Sequence, residues 1–155
     1  MSAPTTYRVH AQSAPGGEAR IDAGTGTVAF DASWAAAVPS GLPGPADLLA
    51  SAFAACLLKN VERSGRLLPF RYRNAEVDVR AERQDSPPLF IAIDYELRLV
   101  TDEPRHRVYL LHRNLRRFGT VYNTLAAVCD VQGRIVTEPA PPEPEAPGRP
   151  SGEEA

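Results

Sequence analysis

Apolar and polar residues alternate along this chain in several rhythms. In the first third, short mixed runs at Tyr7–Gln12, Glu18–Ala23 and Thr27–Asp31 are separated by Pro15-Gly16-Gly17 and Gly24-Thr25-Gly26. Runs of that length between glycine turns predict three strands of an antiparallel meander. The glycine pairs are too short for phosphate-binding loops, and no helix directly follows either one. Further on, Ala75, Val77, Val79 and Ala81 alternate with Glu76, Asp78, Arg80 and Glu82. Ile91, Ile93, Tyr95, Leu97 and Leu99 alternate in the same way with Asp94, Glu96 and Arg98. A period of two with one charged face predicts a hairpin of strands over 71–82 and 89–100, one face wet and the other against a core.

The segment from Asp47 to about Ser64 has no such alternation. Leu48, Leu49, Ala52, Phe53, Ala55, Cys56 and Leu57 cover every side of a helical cylinder, and a helix that is apolar all round is a buried one. Pro45 suits its first position, where a missing N–H is not needed, and Asp47 places an anion in the first turn. Gly65 is expected to end it. A second helix follows Glu103-Pro104, with Val108, Leu111, Leu115 and Phe118 at spacings of three and four. Gly119 interrupts it, 120–128 reads as a short third helix, and 130–137 as a last strand. Strands, helix, strands, helix, strand is the order of an α+β fold.

Length and composition sharpen this picture at the C-terminus. The 155 residues are 43% apolar, enough for one ordinary domain, expected over 1–137. From Glu138 onward six prolines, five glutamates and one arginine replace the apolar rhythm, which predicts a disordered acidic tail over 138–155. The formal charge of −2 leaves about +2 on the domain once the tail is set aside, so neither part points to nucleic acid. The arginines from Arg105 to Arg117 lack interleaved surface aromatics and are expected to form a solvated face. No apolar run reaches the roughly 20 residues needed to cross a bilayer. The first eight residues do not have the pattern of a secretory signal, so a cytoplasmic location is expected.

Candidate chemistry rests on few residues. His10, His106 and His112 have no further ligands at metal spacing, and neither a metal nor another cofactor is expected. Cys56 and Cys129 lack the pairing of a zinc site or a disulfide scaffold and are expected to be thiols. Cys56, deep in the apolar helix, reads either as a small space-filling hydrophobe or as a reactive thiol. For it to react, something must favour the thiolate against apolar surroundings, and a guanidinium is the obvious partner.

The segment Gly44-Pro45-Ala46-Asp47-Leu48-Leu49-Ala50-Ser51-Ala52-Phe53-Ala54-Ala55-Cys56-Leu57 resembles the central-helix motif of the osmotically induced protein C and organic hydroperoxide resistance (OsmC/Ohr) family. Phe118-Gly119-Thr120-Val121-Tyr122-Asn123-Thr124-Leu125 is similar to the second motif of that family, in which a cysteine and a proline usually stand where this chain has Gly119 and Thr120. The resemblance implies an intertwined homodimer, with sheets from both chains wrapped around two central helices. It also implies that Cys56 attacks a hydroperoxide, that an arginine holds its thiolate, and that a glutamate orients the arginine. Arg20, following the Gly-Gly turn, is the best match to the arginine. The glutamate position falls on Ala46 and the resolving-cysteine position on Gly119, which places the chain near the divergent OsmC-like branch.

The implied function is a thiol-dependent organic hydroperoxide reductase in which Cys56 is resolved by an external thiol. The alternative is a non-catalytic binder of a small apolar molecule in the dimer-interface pocket. Partners are then a second copy of the chain, the small molecule or peroxide, and a thiol reductant, with neither nucleic acid nor membrane.

Overall fold

The structure, a computed structural model, describes residues 2–16, 18–34 and 38–144. The elements run β1 (Val9–Gln12), β2 (Arg20–Ala23), β3 (Gly26–Ala29), α1 (Pro45–Leu67), β4 (Asn74–Asp85), β5 (Pro88–Val100), α2 (Arg105–Phe118), α3 (Thr120–Ala126) and β6 (Asp130–Glu138). The expected order of elements is thus present, as an α+β fold with two three-stranded sheets.

Sheet β4-β5-β6 carries the core. Val77 pairs with Leu97, Val79 with Tyr95 and Ala81 with Ile93, so the period-two apolar residues of both strands share one face. On the other face Arg80 meets Asp94 at 3.4 Å and Arg98 meets Asp78 at 3.2 Å, a ladder that stays in water. Antiparallel pairing holds in β1–β3 and in β4–β5, whereas β6 pairs parallel to β5, with Ile93 opposite Val131. The second sheet is therefore mixed. The chain crosses over through α2 and α3 before β6, and a crossover of that length returns a strand in the parallel direction.

Phe53, Leu57 and Val61 of α1 are buried among Ile93, Leu97 and Leu99 of β5, Leu111 and Leu115 of α2, and Tyr122 and Leu125 of α3. Each such side chain contributes about 1.5–3 kcal/mol on leaving water. The helix is longer than its composition suggested. It continues past Gly65 to Leu67, where the Leu68 N–H bonds to the Ser64 carbonyl at 2.8 Å.

Sheet β1-β2-β3 is different in kind. Its hairpins are tight, with Gly24 at a φ of 59° that a side chain would resist, yet it makes no substantial contact with α1 or the other sheet. Val9, Val28 and Trp34, the last 96% exposed, are exposed large hydrophobic residues on or near it. Ala52 and Ala55, on the side of α1 away from the core, are also exposed.

The C-terminal segment stays attached as far as it is described. The Ala140 N–H bonds to the Asp102 carboxylate at 3.0 Å, and Glu143 lies 3.8 Å from Arg73. The rest of the expected acidic tail, 145–155, lies outside the described residues.

Candidate functional site around Cys56

α1 starts where Pro45 permits it, and the Asp47 carboxylate accepts the Gly44 N–H at 2.9 Å. Asp47 therefore acts on its own helix terminus. Ala46, the position of the family's glutamate, is an exposed methyl in that first turn. Cys56 follows three turns later, half-buried and free, between the core-facing Phe53 and Leu57.

Two groups meet its sulfur. The Asn60 amide Nδ2, one turn on, donates to the Cys56 carbonyl at 2.8 Å and lies 3.6 Å from Sγ. The second is Gly119, the buried N-cap of α3. A Cβ placed on Gly119 would sit 3.3 Å from Cys56 Sγ, 2.9 Å from Tyr122 Cβ and 3.0 Å from the Leu115 carbonyl oxygen. Position 119 thus faces the thiol directly, with Tyr122 and the end of α2 filling the space that a side chain there would need.

Beside this contact the Phe118 ring carries two cations. The Arg63 guanidinium carbon lies 4.6 Å from the ring centre and that of Arg117 lies 5.1 Å from it. Neither Asn60 nor Arg63 stands out in the sequence, although both share the helical face of Cys56, at spacings of four and seven. That spacing was the available signal, and it carries no chemistry until Gly119 and Phe118 are seen opposite.

The other expected site residues lie elsewhere. Arg20 is on β2, 4.0 Å from Asp22, in the sheet that has no substantial contact with α1 within the chain. Cys129, just before β6, donates its thiol to the Leu125 carbonyl at 3.1 Å, and burial, with Asp130 nearby, raises its pKa. The two cysteines are not joined.

A separate polar pair lies deeper. Tyr95 Oη is 2.7 Å from His112 Nε2, and burial, assisted by Arg116, lowers the His112 pKa. Burial raises that of Tyr95. Their contact joins β5 to α2, and the ring of Tyr95 lies over Gly133 of β6.

A cleft of about 750 Å³ opens near the C-terminal end of α1, between Arg66, Phe70, Tyr72 and Asp102, and a smaller one of about 240 Å³ lies beside His112. Neither is lined by Cys56. No cluster of three potential metal ligands exists among the described residues, and no helix among them is long and apolar enough to cross a membrane.

Comparison with known proteins gives consistent matches. The family model described as OsmC-like protein matches residues 39–132. Among solved structures, an OsmC-like protein from Mycoplasma pneumoniae superposes with a TM-score of 0.75 at 14% identity, over 89% of this chain and 99% of that one. The organic hydroperoxide resistance protein OhrB of Bacillus subtilis gives 0.63 at 19% identity, over 85% and 98%. An organic hydroperoxide resistance protein OsmC from Legionella pneumophila gives 0.68 at 14%, over 86% and 98%. No curated protein matches the sequence.

Proposed function

Because the chain belongs to the OsmC-like protein family, whose model spans its central helix and the Gly119 turn, we propose that it is a thiol-dependent organic hydroperoxide reductase with Cys56 as its nucleophile. The observation that carries this reading is the setting of the Cys56 sulfur: half-buried on an apolar helix, with an amide donor at 3.6 Å and a residue without a side chain opposite.

The chemistry needs no cofactor. The Cys56 thiolate attacks one peroxide oxygen, the O–O bond breaks, and the alkoxide leaves and takes a proton to become the alcohol. The sulfur is oxidised to a sulfenic acid. A thiol from outside the chain condenses with it, releasing water and forming a mixed disulfide. A second thiol reduces that disulfide and regenerates Cys56. An external thiol is required because Gly119 replaces the resolving cysteine and Cys129 is engaged at the entry to β6. A cytoplasmic location would supply such thiols.

The working unit is proposed to be a homodimer. The N-terminal sheet is largely exposed, and the outer side of α1 exposes Ala52 and Ala55, small residues that allow another backbone to approach. A second copy would cover both and could bring the Arg20 sheet toward Cys56. A size-exclusion mass of one chain at micromolar concentration would refute this.

The catalytic reading is tested by treating reduced protein with cumene hydroperoxide and trapping sulfenic acid. Label is expected in wild type and in Cys129→Ser and absent from Cys56→Ser. If Cys56 is oxidised no faster than free cysteine at the same pH, the enzyme reading fails. The chain would then be a binder of a small apolar molecule, the reading favoured by the loss of the glutamate at Ala46 and of the cysteine at Gly119.

A further inference from the structure

We infer that Arg63, on the same helix as Cys56, supplies the positive charge that faces the Cys56 sulfur. The inference rests on the reading of Cys56 as the reacting thiol and adds to it a residue within the chain itself. At about 100° per residue, a spacing of seven brings Arg63 back to within about 20° of Cys56 around the α1 axis. Asn60 lies between them, on the same stripe. Helical side chains lean toward the N-terminus, the direction in which Asn60 and Cys56 lie from Arg63.

Its position over Phe118 puts it beside the residue that meets the thiol. The guanidinium carbon of Arg63 rests 4.6 Å from the centre of the Phe118 ring, and the next residue, Gly119, is the one whose Cβ would touch the Cys56 sulfur. One residue of α2 therefore holds the cation while its neighbour closes against the thiol. Among the described residues no carboxylate pairs with Arg63, although Arg66, one turn on, is committed to Glu62 at 3.5 Å. Among the described residues the charge of Arg63 is thus uncompensated by an ion pair.

Three other cations compete for the role. Lys59 is also on α1, but among the described residues no hydrogen bond or ion pair fixes its ammonium group. Arg117 stacks on the same Phe118 ring, at 5.1 Å, from α2. Arg20 is beside Asp22 on a sheet that has no substantial contact with α1 within the chain.

The experiment compares alkylation of Cys56 by iodoacetate and by iodoacetamide, followed on the Cys56 peptide by mass spectrometry. Both reagents consume the same thiolate and expel iodide, so the ratio of their rates cancels the extent of ionisation and reports the local charge. A unit charge within about 6 Å in water-like surroundings changes the rate of an anionic reagent about threefold. Arg63→Leu and Arg63→Gln are expected to lower the iodoacetate-to-iodoacetamide ratio by about that factor, and Arg63→Lys to retain most of it. Lys59→Gln, Arg117→Gln and Arg20→Gln should leave it nearly unchanged.

An unchanged ratio in both Arg63→Leu and Arg63→Gln overturns the assignment, as does a larger fall in any of the other three variants. The measurement needs no peroxide. If Cys56 resists cumene hydroperoxide while its alkylation ratio follows Arg63, the peroxidase reading fails and the assigned charge stands. If Cys56 is oxidised but its ratio ignores Arg63, the reverse holds.

Discussion

Replacing Gly119 by alanine tests the packing around the thiol. The backbone of Gly119, with φ at −76°, accepts any residue, so conformation does not oppose the change. Alanine even restricts the unfolded chain, which stabilises by about 0.4–1 kcal/mol. Space opposes it: the new methyl would lie 2.9 Å from Tyr122 Cβ, 3.0 Å from the Leu115 carbonyl oxygen and 3.3 Å from Cys56 Sγ. Two of these neighbours are backbone or backbone-proximal and cannot swing away, and forcing a methyl into such a site costs about 1–3 kcal/mol. The net expectation is a loss of about 1–2 kcal/mol, or roughly 2–8 °C in Tm for a chain of this size.

Thermal unfolding at fixed protein concentration measures the loss, alone and combined with Cys56→Ala, which removes the sulfur contact. The double variant should recover part of the loss, and alkylation of Cys56 in Gly119→Ala should slow. An unchanged Tm together with an unchanged alkylation rate would show that position 119 has room, and the close approach of the sulfur to α3 would then be wrong.

Two further predictions concern the core. A Cβ on Gly133 would fall within 2.1–2.4 Å of the Tyr95 ring, so Gly133→Ala should lower stability by about 1–3 kcal/mol, and adding Tyr95→Leu should restore part of it in chemical denaturation. His112 has a folded pKa below its unfolded value of about 6.5, so the unfolded chain takes up its proton first as pH falls. Stability from neutral His112 is thus full above about pH 6.5 and declines below it, until the folded pKa is passed. Melts across this range should show a slope that His112→Gln flattens; an identical slope in that variant would refute the assignment.

Much of the molecule could be read from local patterns. The β4–β5 hairpin follows from alternation alone, because a two-residue period with one charged face can bury only one side, and Val77, Val79, Leu97 and Leu99 face the core as that rhythm requires. α2 is equally plain, since Leu111 and Leu115 recur at helical spacing and are fully buried. Cys56 could be singled out as the thiol in the family motif. What surrounds it could not, since Gly119 and Phe118 are more than sixty residues away along the chain.

Sequence by itself determined the element order, the apolar face of each amphipathic element and the thiol on α1, because these depend on periodicities within single segments. Tertiary structure alone decided that β6 runs parallel to β5, that α1 buries only one side within its own chain, and that Asn60 and Gly119 meet one sulfur, with a cation over the neighbouring Phe118. Those features arise from pairing between distant segments, and spacing along a chain does not encode which distant backbone arrives at a given side chain.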